Sequence, residues 1–287
     1  MNKNVQDKLK ERINSLLESS DIPWFKPWSS VNGIGVNYVS QKKYRGINRI
    51  FLGESEYATF LQVKNCGGKI NKNAKGHTVV CPIIKTRYYD ENNEETASKD
   101  DPKTVKESTV MLGIRLAYVF DIADTNLPSK IQVKTYEDNI SVDESKCIDK
   151  VFELASKMGV KITEKVSDRA FYSPSEDSIT VPLRSQFKNA SAFLGTLLHE
   201  IGHSTGHTSR LNRDQKGYFG SESYSKEELV AEVFSLSALA EFGMNSPYDE
   251  EQTAAYLKSW KNYCSNNVNE MVQAFSNADK ALEYFFA

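Results

Sequence analysis

The sequence predicts an α+β protein in two parts, a small basic α+β domain followed by a helix-rich domain with a short antiparallel sheet. Three observations carry this. The chain has 287 residues, about twice a usual domain length of roughly 150. Charge is divided unevenly: residues 22–89 hold 11 Lys/Arg against only Glu54 and Glu56, although the whole chain carries 36 basic and 38 acidic side chains. Lastly, short apolar runs of strand type dominate the first half, and stripes of helical spacing dominate the second.

The elements follow in order. Val5, Leu9, Ile13, Leu16 and Leu17 make an amphipathic helix over 3–19. Trp24, Phe25 and Trp28 sit in a turn bracketed by Pro23 and Pro27. Short strands or turns are expected at 34–39 and 43–52 around Gly46, then a short helix at 58–64 stopped by Gly67 and Gly68. His77–Ile84 and Val110–Asp121 read as paired strands. Between them, the charged stretch 87–108 reads as a solvated, partly disordered excursion. Composition changes again at 126–144, the expected linker between a first domain at 1–125 and a second at 145–287. There, helices are expected at 145–158, 189–205, 225–242, 249–263 and 266–284, with strands at 160–164 and 178–183.

Composition excludes several classes. With 39% hydrophobic and 26% charged residues, the chain is neither collagenous nor wholly disordered. It has no run of about 18 apolar residues, so no membrane partner is expected. The N-terminus lacks an apolar signal region, and Cys66, Cys81, Cys147 and Cys264 form no CxxC pair. A cytoplasmic location with reduced thiols is the expectation.

Three of the four histidines fall in HEIGHSTGH, residues 199–207. On a helix His199 and His203 lie one turn apart on one face, so both imidazoles can reach one ion. Glu200, offset by about 100°, can serve water activated by that ion, as catalytic acid and base. A tetrahedral catalytic zinc needs a third protein ligand and an open position. His207 is one option, but Gly206 looks like a helix C-cap that swings it off the axis. Glu228 is the better option, with Glu232 one turn further on orienting a ligand from behind; Glu227 is the alternative register. Tyr224 or His207 is expected to help stabilise an oxyanion. Zinc is the expected metal, with manganese or another divalent ion as the alternative. Peptide hydrolysis is the default chemistry, and Ser178–Leu183 is expected to offer a sheet edge to an extended peptide.

The basic half interleaves aromatics with cations, as single-stranded nucleic acid binding requires. The candidate contacts are Trp24, Trp28, Lys42, Lys43, Tyr44, Arg45, Asn48, Arg49, Lys64, Lys69, Lys72 and Lys75. The densest stretch is YVSQKKYRGINR, residues 38–49.

Over nearly its whole length the chain resembles the ArdC-type antirestriction proteins of conjugative plasmids and related mobile elements. The resemblance is carried by IPWFKPW (22–28), YRGIN (44–48), ATFLQVKNCGGKI (58–70), KGHTVVCPI (75–83) and YVFDIADT (118–125). In the second half FYSPSEDSITVP (171–182), LLHEIGHSTGHTSRLNR (197–213) and YSKEELVAE (224–232) carry it. It implies an N-terminal domain that binds single-stranded DNA and a C-terminal zincin-like metallopeptidase domain of gluzincin type. The implied role is protection of incoming DNA from host restriction. By position it implies His199, His203 and Glu228 as ligands and Glu200 as acid/base. The acidic stretch 87–108 departs from the family pattern. The alternative expectation is a cytoplasmic metallopeptidase that cleaves a regulatory protein, with the first half recognising protein.

Overall fold

The computed structural model describes residues 3–18, 35–53, 55–131, 143–215, 222–244 and 268–287. The turn holding Trp24 and Trp28 and the helix expected at 249–263 lie outside the described residues.

Helix α1 (Lys3–Glu18) buries Leu9 and Ile13. The short elements β1 (Val36–Asn37), α2 (Asn48–Phe51), β2 (Glu56–Ala58) and α3 (Phe60–Asn65) follow. Helix α3 starts at a capping box: Thr59 accepts from the Gln62 amide while the Gln62 side chain takes the Thr59 amide, so two orphan donors are satisfied.

The first sheet is dominated by β3 (His77–Tyr89) and β5 (Lys106–Asp121), antiparallel from His77 opposite Val119 to Tyr89 opposite Lys106. Strand order is β1-β2-β5-β3-β4, where β4 (Glu95–Thr96) pairs with the end of β3. This corrects the expected excursion at 87–108. Both strands run into it, and Asp90 ties its turn by accepting from the amides of Asn92 and Glu94. Polar side chains suit antiparallel strands with a face to water, so polarity there is compatible with regular structure.

The start of the expected linker is also held. The buried Glu56 carboxylate accepts from Ser129 Oγ and from the amides of Lys130 and Ile131. The Tyr38 hydroxyl donates to the Pro128 carbonyl. A buried carboxylate needs such donors, and here they fasten residues 128–131 to β2.

In the second half α4 (Glu144–Lys157), capped by Asp143, precedes a sheet of order β6-β8-β7. β6 (Lys161–Lys165) runs parallel to β8 (Ser178–Pro182), and β7 (Phe171–Ser173) runs antiparallel to it. The sheet is therefore mixed, not antiparallel, and β8 is its middle strand rather than an open edge. Its buried Ile179 and Val181 mark a strand covered on its core face. The edge beside the site is β7, three residues too short to read from periodicity. Helices α5 (Ala190–Ser204, capped by Asn189), α6 (Glu222–Glu241) and α7 (Val268–Phe286) complete the fold.

The main core is shared between the halves: Leu9, Ile13, Ile47, Phe51 and Val80 join one cluster with residues of α4 to α7. Polar contacts reinforce this junction. Arg49 pairs with Asp279 at 2.8 Å, both largely buried. The Gly46 amide also donates to Asp279, and Gly46 takes a left-handed φ of 58° to present it. Lys43 meets both oxygens of Glu241, and Arg45 meets Glu283.

Candidate metal centre

Helix α5 is apolar along most of its surface, burying Phe193, Leu194, Leu197, Leu198 and Ile201. Its histidines therefore face one cleft from an otherwise buried helix. Helix α6 lies close against it because of Gly202: a Cβ there would meet the Ala231 Cα at 2.9 Å. That approach brings Glu228 over the histidines. Its Oε2 lies 3.3 Å from His199 Nε2 and its Oε1 3.3 Å from His203 Nε2. The two Nε2 atoms are 3.1 Å apart. Ligand atoms from His199, His203 and Glu228 all lie within 4.8 Å of one another.

The donor set fits a divalent cation. His199 turns its Nδ1 to Glu232 Oε2 at 3.1 Å, and His203 turns its Nδ1 to Glu227 Oε1 at 3.6 Å. Protons on the two Nδ1 atoms, facing these carboxylates, would leave both Nε2 lone pairs aimed at one point with the Glu228 carboxylate. Three lone-pair donors so close repel unless positive charge, a proton or a metal, sits between them. The electrostatics express the same demand. Burial alone would lower the His199 pKa, yet the carboxylates of Glu228 and Glu232 outweigh it and bring it up to about 10. Burial also opposes the charge on Glu228, but the two imidazoles hold its pKa well below the usual carboxylate range.

Glu200 is buried and stands apart from this set. Burial pushes its pKa up, although His199, His203 and the Tyr172 amide favour the charged form. A cleft of about 420 Å³ opens onto the group, lined by Ala170, Phe171, Tyr172, Pro174, Gln215 and the residues just named. Strand β7 thus forms one wall.

Sequence reasoning missed Tyr172, Asp177, Arg210, Arg213 and Gln215. The Arg210 side chain is largely enclosed; it ties Ser204 O, at the end of α5, to Asp177 and the Tyr172 hydroxyl beside β7. Arg213 grips Glu227 with Nε at 3.0 Å and Nη2 at 2.6 Å. The only signal was two arginines soon after the histidines, in SRLNR. His207 does not line the cleft; its Nδ1 lies 2.7 Å from Ser209 Oγ and 3.8 Å from Asp177. The side chain of Tyr224 lies outside the described residues.

The nucleic-acid candidates divide. Lys43, Arg45 and Arg49 are paired with Glu241, Glu283 and Asp279. Both side-chain amide atoms of Asn48 bond the Val80 backbone, and Tyr44 packs edge-on against Tyr57. Lys43, Arg45 and Arg49 thus reach across to acids of α6 and α7, whereas Asn48 and Tyr44 make their contacts within the first half. Lys42, Lys64, Lys69, Lys72 and Lys75 are exposed, and no ion pair engages them among the described residues.

Two helices that bring HExxH and a converging glutamate together over a small mixed sheet have the arrangement of a zincin-like metallopeptidase domain. The family model for that domain matches residues 149–277, and the model for the N-terminal domain of anti-restriction factor ArdC matches residues 3–120. The chain therefore combines an ArdC-type N-terminal domain with a zincin-like metallopeptidase domain. Crystal structures of antirestriction ArdC from the R388 plasmid superpose over 98% of this chain. The metal-free form has a TM-score of 0.67 at 27% identity over 96% of that chain. The Mn(II)-bound form has 0.70 at 25% over 97%. A divalent metal is accordingly implied for this family's site. An Escherichia coli protein named DNA primase TraC is 33% identical over 96% of this chain, which spans only 19% of that protein's length. Among the described residues no helix is long and apolar enough to cross a membrane.

Proposed function

We propose that this chain is a cytoplasmic antirestriction protein of a mobile element, acting during conjugation. In this reading its first half binds single-stranded DNA without sequence preference, and its second half carries a zinc-dependent peptidase-like site. The observation that carries it is the convergence of His199, His203 and Glu228 beside the buried Glu200. When bound there, a divalent ion supplies Lewis acidity that polarises a carbonyl and acidifies water. Glu200 takes the water proton and passes it to the departing amine; its raised pKa suits it to both steps. The Tyr172 amide fixes the Glu200 carboxylate, and β7 along the cleft wall offers a strand edge to an extended peptide.

On the DNA side, support comes from the exposed lysines at 64, 69, 72 and 75 together with exposed aromatics. Phe60 is 63% and Tyr118 54% exposed, so both rings are free to stack on a base. Cations along phosphates and rings beneath bases are the chemistry of sequence-tolerant binding.

The deciding experiment is fluorescence anisotropy of the full-length protein with a single-stranded oligonucleotide across a salt series. The shared core makes the whole chain, not a 1–125 fragment, the proper sample. Affinity falling steeply with salt supports the reading. No binding at low salt sinks its DNA half and favours a peptidase whose first half recognises protein.

A further inference from the structure

We propose that Arg213 is the positioning residue of the metal centre, clamping Glu227 so that Glu227 holds His203 in its ligating orientation. The inference rests on the metal-centre reading and adds a residue that never meets the ion.

Glu227 is buried, and its Oε1 faces His203 Nδ1. Left alone, a buried carboxylate rotates to whatever donor it finds or turns neutral, and the histidine behind it loses its orientation. Arg213 prevents this with a two-pronged contact: Nε meets Oε2 and Nη2 meets Oε1. Such a fork fixes the carboxylate plane as well as its charge.

The guanidinium is itself held on its far side. Its Nη1 donates to Thr205 Oγ1 at 2.7 Å and Nη2 to the Gly202 carbonyl at 2.8 Å, both near the end of the histidine helix. Gln215 adds a second tie, from its Nε2 to the His203 carbonyl at 2.6 Å and to Glu227 Oε1 at 3.2 Å. Gly206 leaves the space at the helix end that the Arg213 and Gln215 side chains fill. A Cβ there would stand 2.7 Å from Gln215 Nε2 and 2.9 Å from Arg213 Nη2. Arg213 therefore links three things at fixed geometry: the end of α5, the carboxylate on α6, and the ring of His203.

The test measures zinc affinity by chelator competition for the wild type, Arg213→Gln and Arg213→Lys, with the melting temperature of each metal-free protein as a check on folding. Arg213→Gln is expected to fold and to bind zinc about 10–100-fold more weakly. Arg213→Lys, which keeps the charge but loses the fork, should fall between the two. Nitrogen-15 NMR of the zinc-loaded wild type should find the His203 proton on Nδ1, facing Glu227. Unchanged zinc affinity in a folded Arg213→Gln overturns the proposal. If that variant does not fold, the wild-type spectrum decides, and His203 ligation through Nδ1 overturns it. A wild type that binds neither zinc nor manganese overturns the metal-centre reading and this inference with it, a failure visible before any variant is made.

Discussion

Gly202 faces Ala231 so closely that a Cβ on it would stand 2.9 Å from the Ala231 Cα. The obstacle is backbone, which cannot rotate aside as a flexible side chain could. This close approach sets the separation of α5 and α6, and with it the reach of Glu228 to the two histidines.

Gly202→Val is therefore expected to force the helices apart. Overpacking a tight interface typically costs about 1–3 kcal/mol, and the displaced Glu228 should weaken zinc binding by at least about tenfold. Denaturant unfolding and chelator competition check the two effects; a variant with both values unchanged would show that the close approach is incidental.

Glu200→Gln should bind metal as the wild type does, because Glu200 is not among the converging donors. Hydrolysis of a peptide library, if the wild type shows it, should fall by about 10²–10⁴-fold, the scale of one general acid/base. Full activity in the variant removes Glu200 from that role.

The pH dependence has a definite sign. The His199 pKa, about 10 in the metal-free fold, lies above its unfolded value of about 6.5. Its contribution to stability is complete below pH 6.5 and is lost as pH rises toward 10. The melting temperature of the metal-free protein should fall across that window. Zinc affinity should rise across it, because protons and metal compete for the same nitrogens. A flat metal-free melting profile between pH 6.5 and 10 is the contrary result.

Charge removal should separate the two groups of basic residues. Lys64→Ala and Lys75→Ala are each expected to weaken single-strand binding and to reduce the salt slope by about 0.7 for each phosphate that is no longer neutralised. Phe60→Ala should cost about 1–3 kcal/mol of binding if a base stacks on it. Arg49→Gln leaves Asp279 buried without its ion-pair partner, so it should destabilise the fold by roughly 3–5 kcal/mol. Anisotropy titrations beside thermal melts would expose the opposite pattern, in which Arg49 governs DNA affinity and the exposed lysines do not.

The amino-acid sequence by itself determined the two-part α+β character and most helices, because helical periodicity and capping are local. It determined the histidine pair and Glu200 for the same reason: i,i+4 spacing places two rings on one face whatever surrounds the helix. It left the third ligand open between Glu228, Glu227 and His207. Tertiary structure separated them, because only the crossing of α5 and α6 shows Glu228 reaching both Nε2 atoms while Glu227 and Glu232 stand behind the rings. It also decided which strand is the edge, since β7 is too short to carry a period. Finally it shows Lys43, Arg45 and Arg49 paired with acids of α6 and α7, and Asn48 bonded to the Val80 backbone. Composition records that a residue is charged. Whether an acid from more than 190 positions away neutralises it depends on long-range packing, which no local pattern encodes.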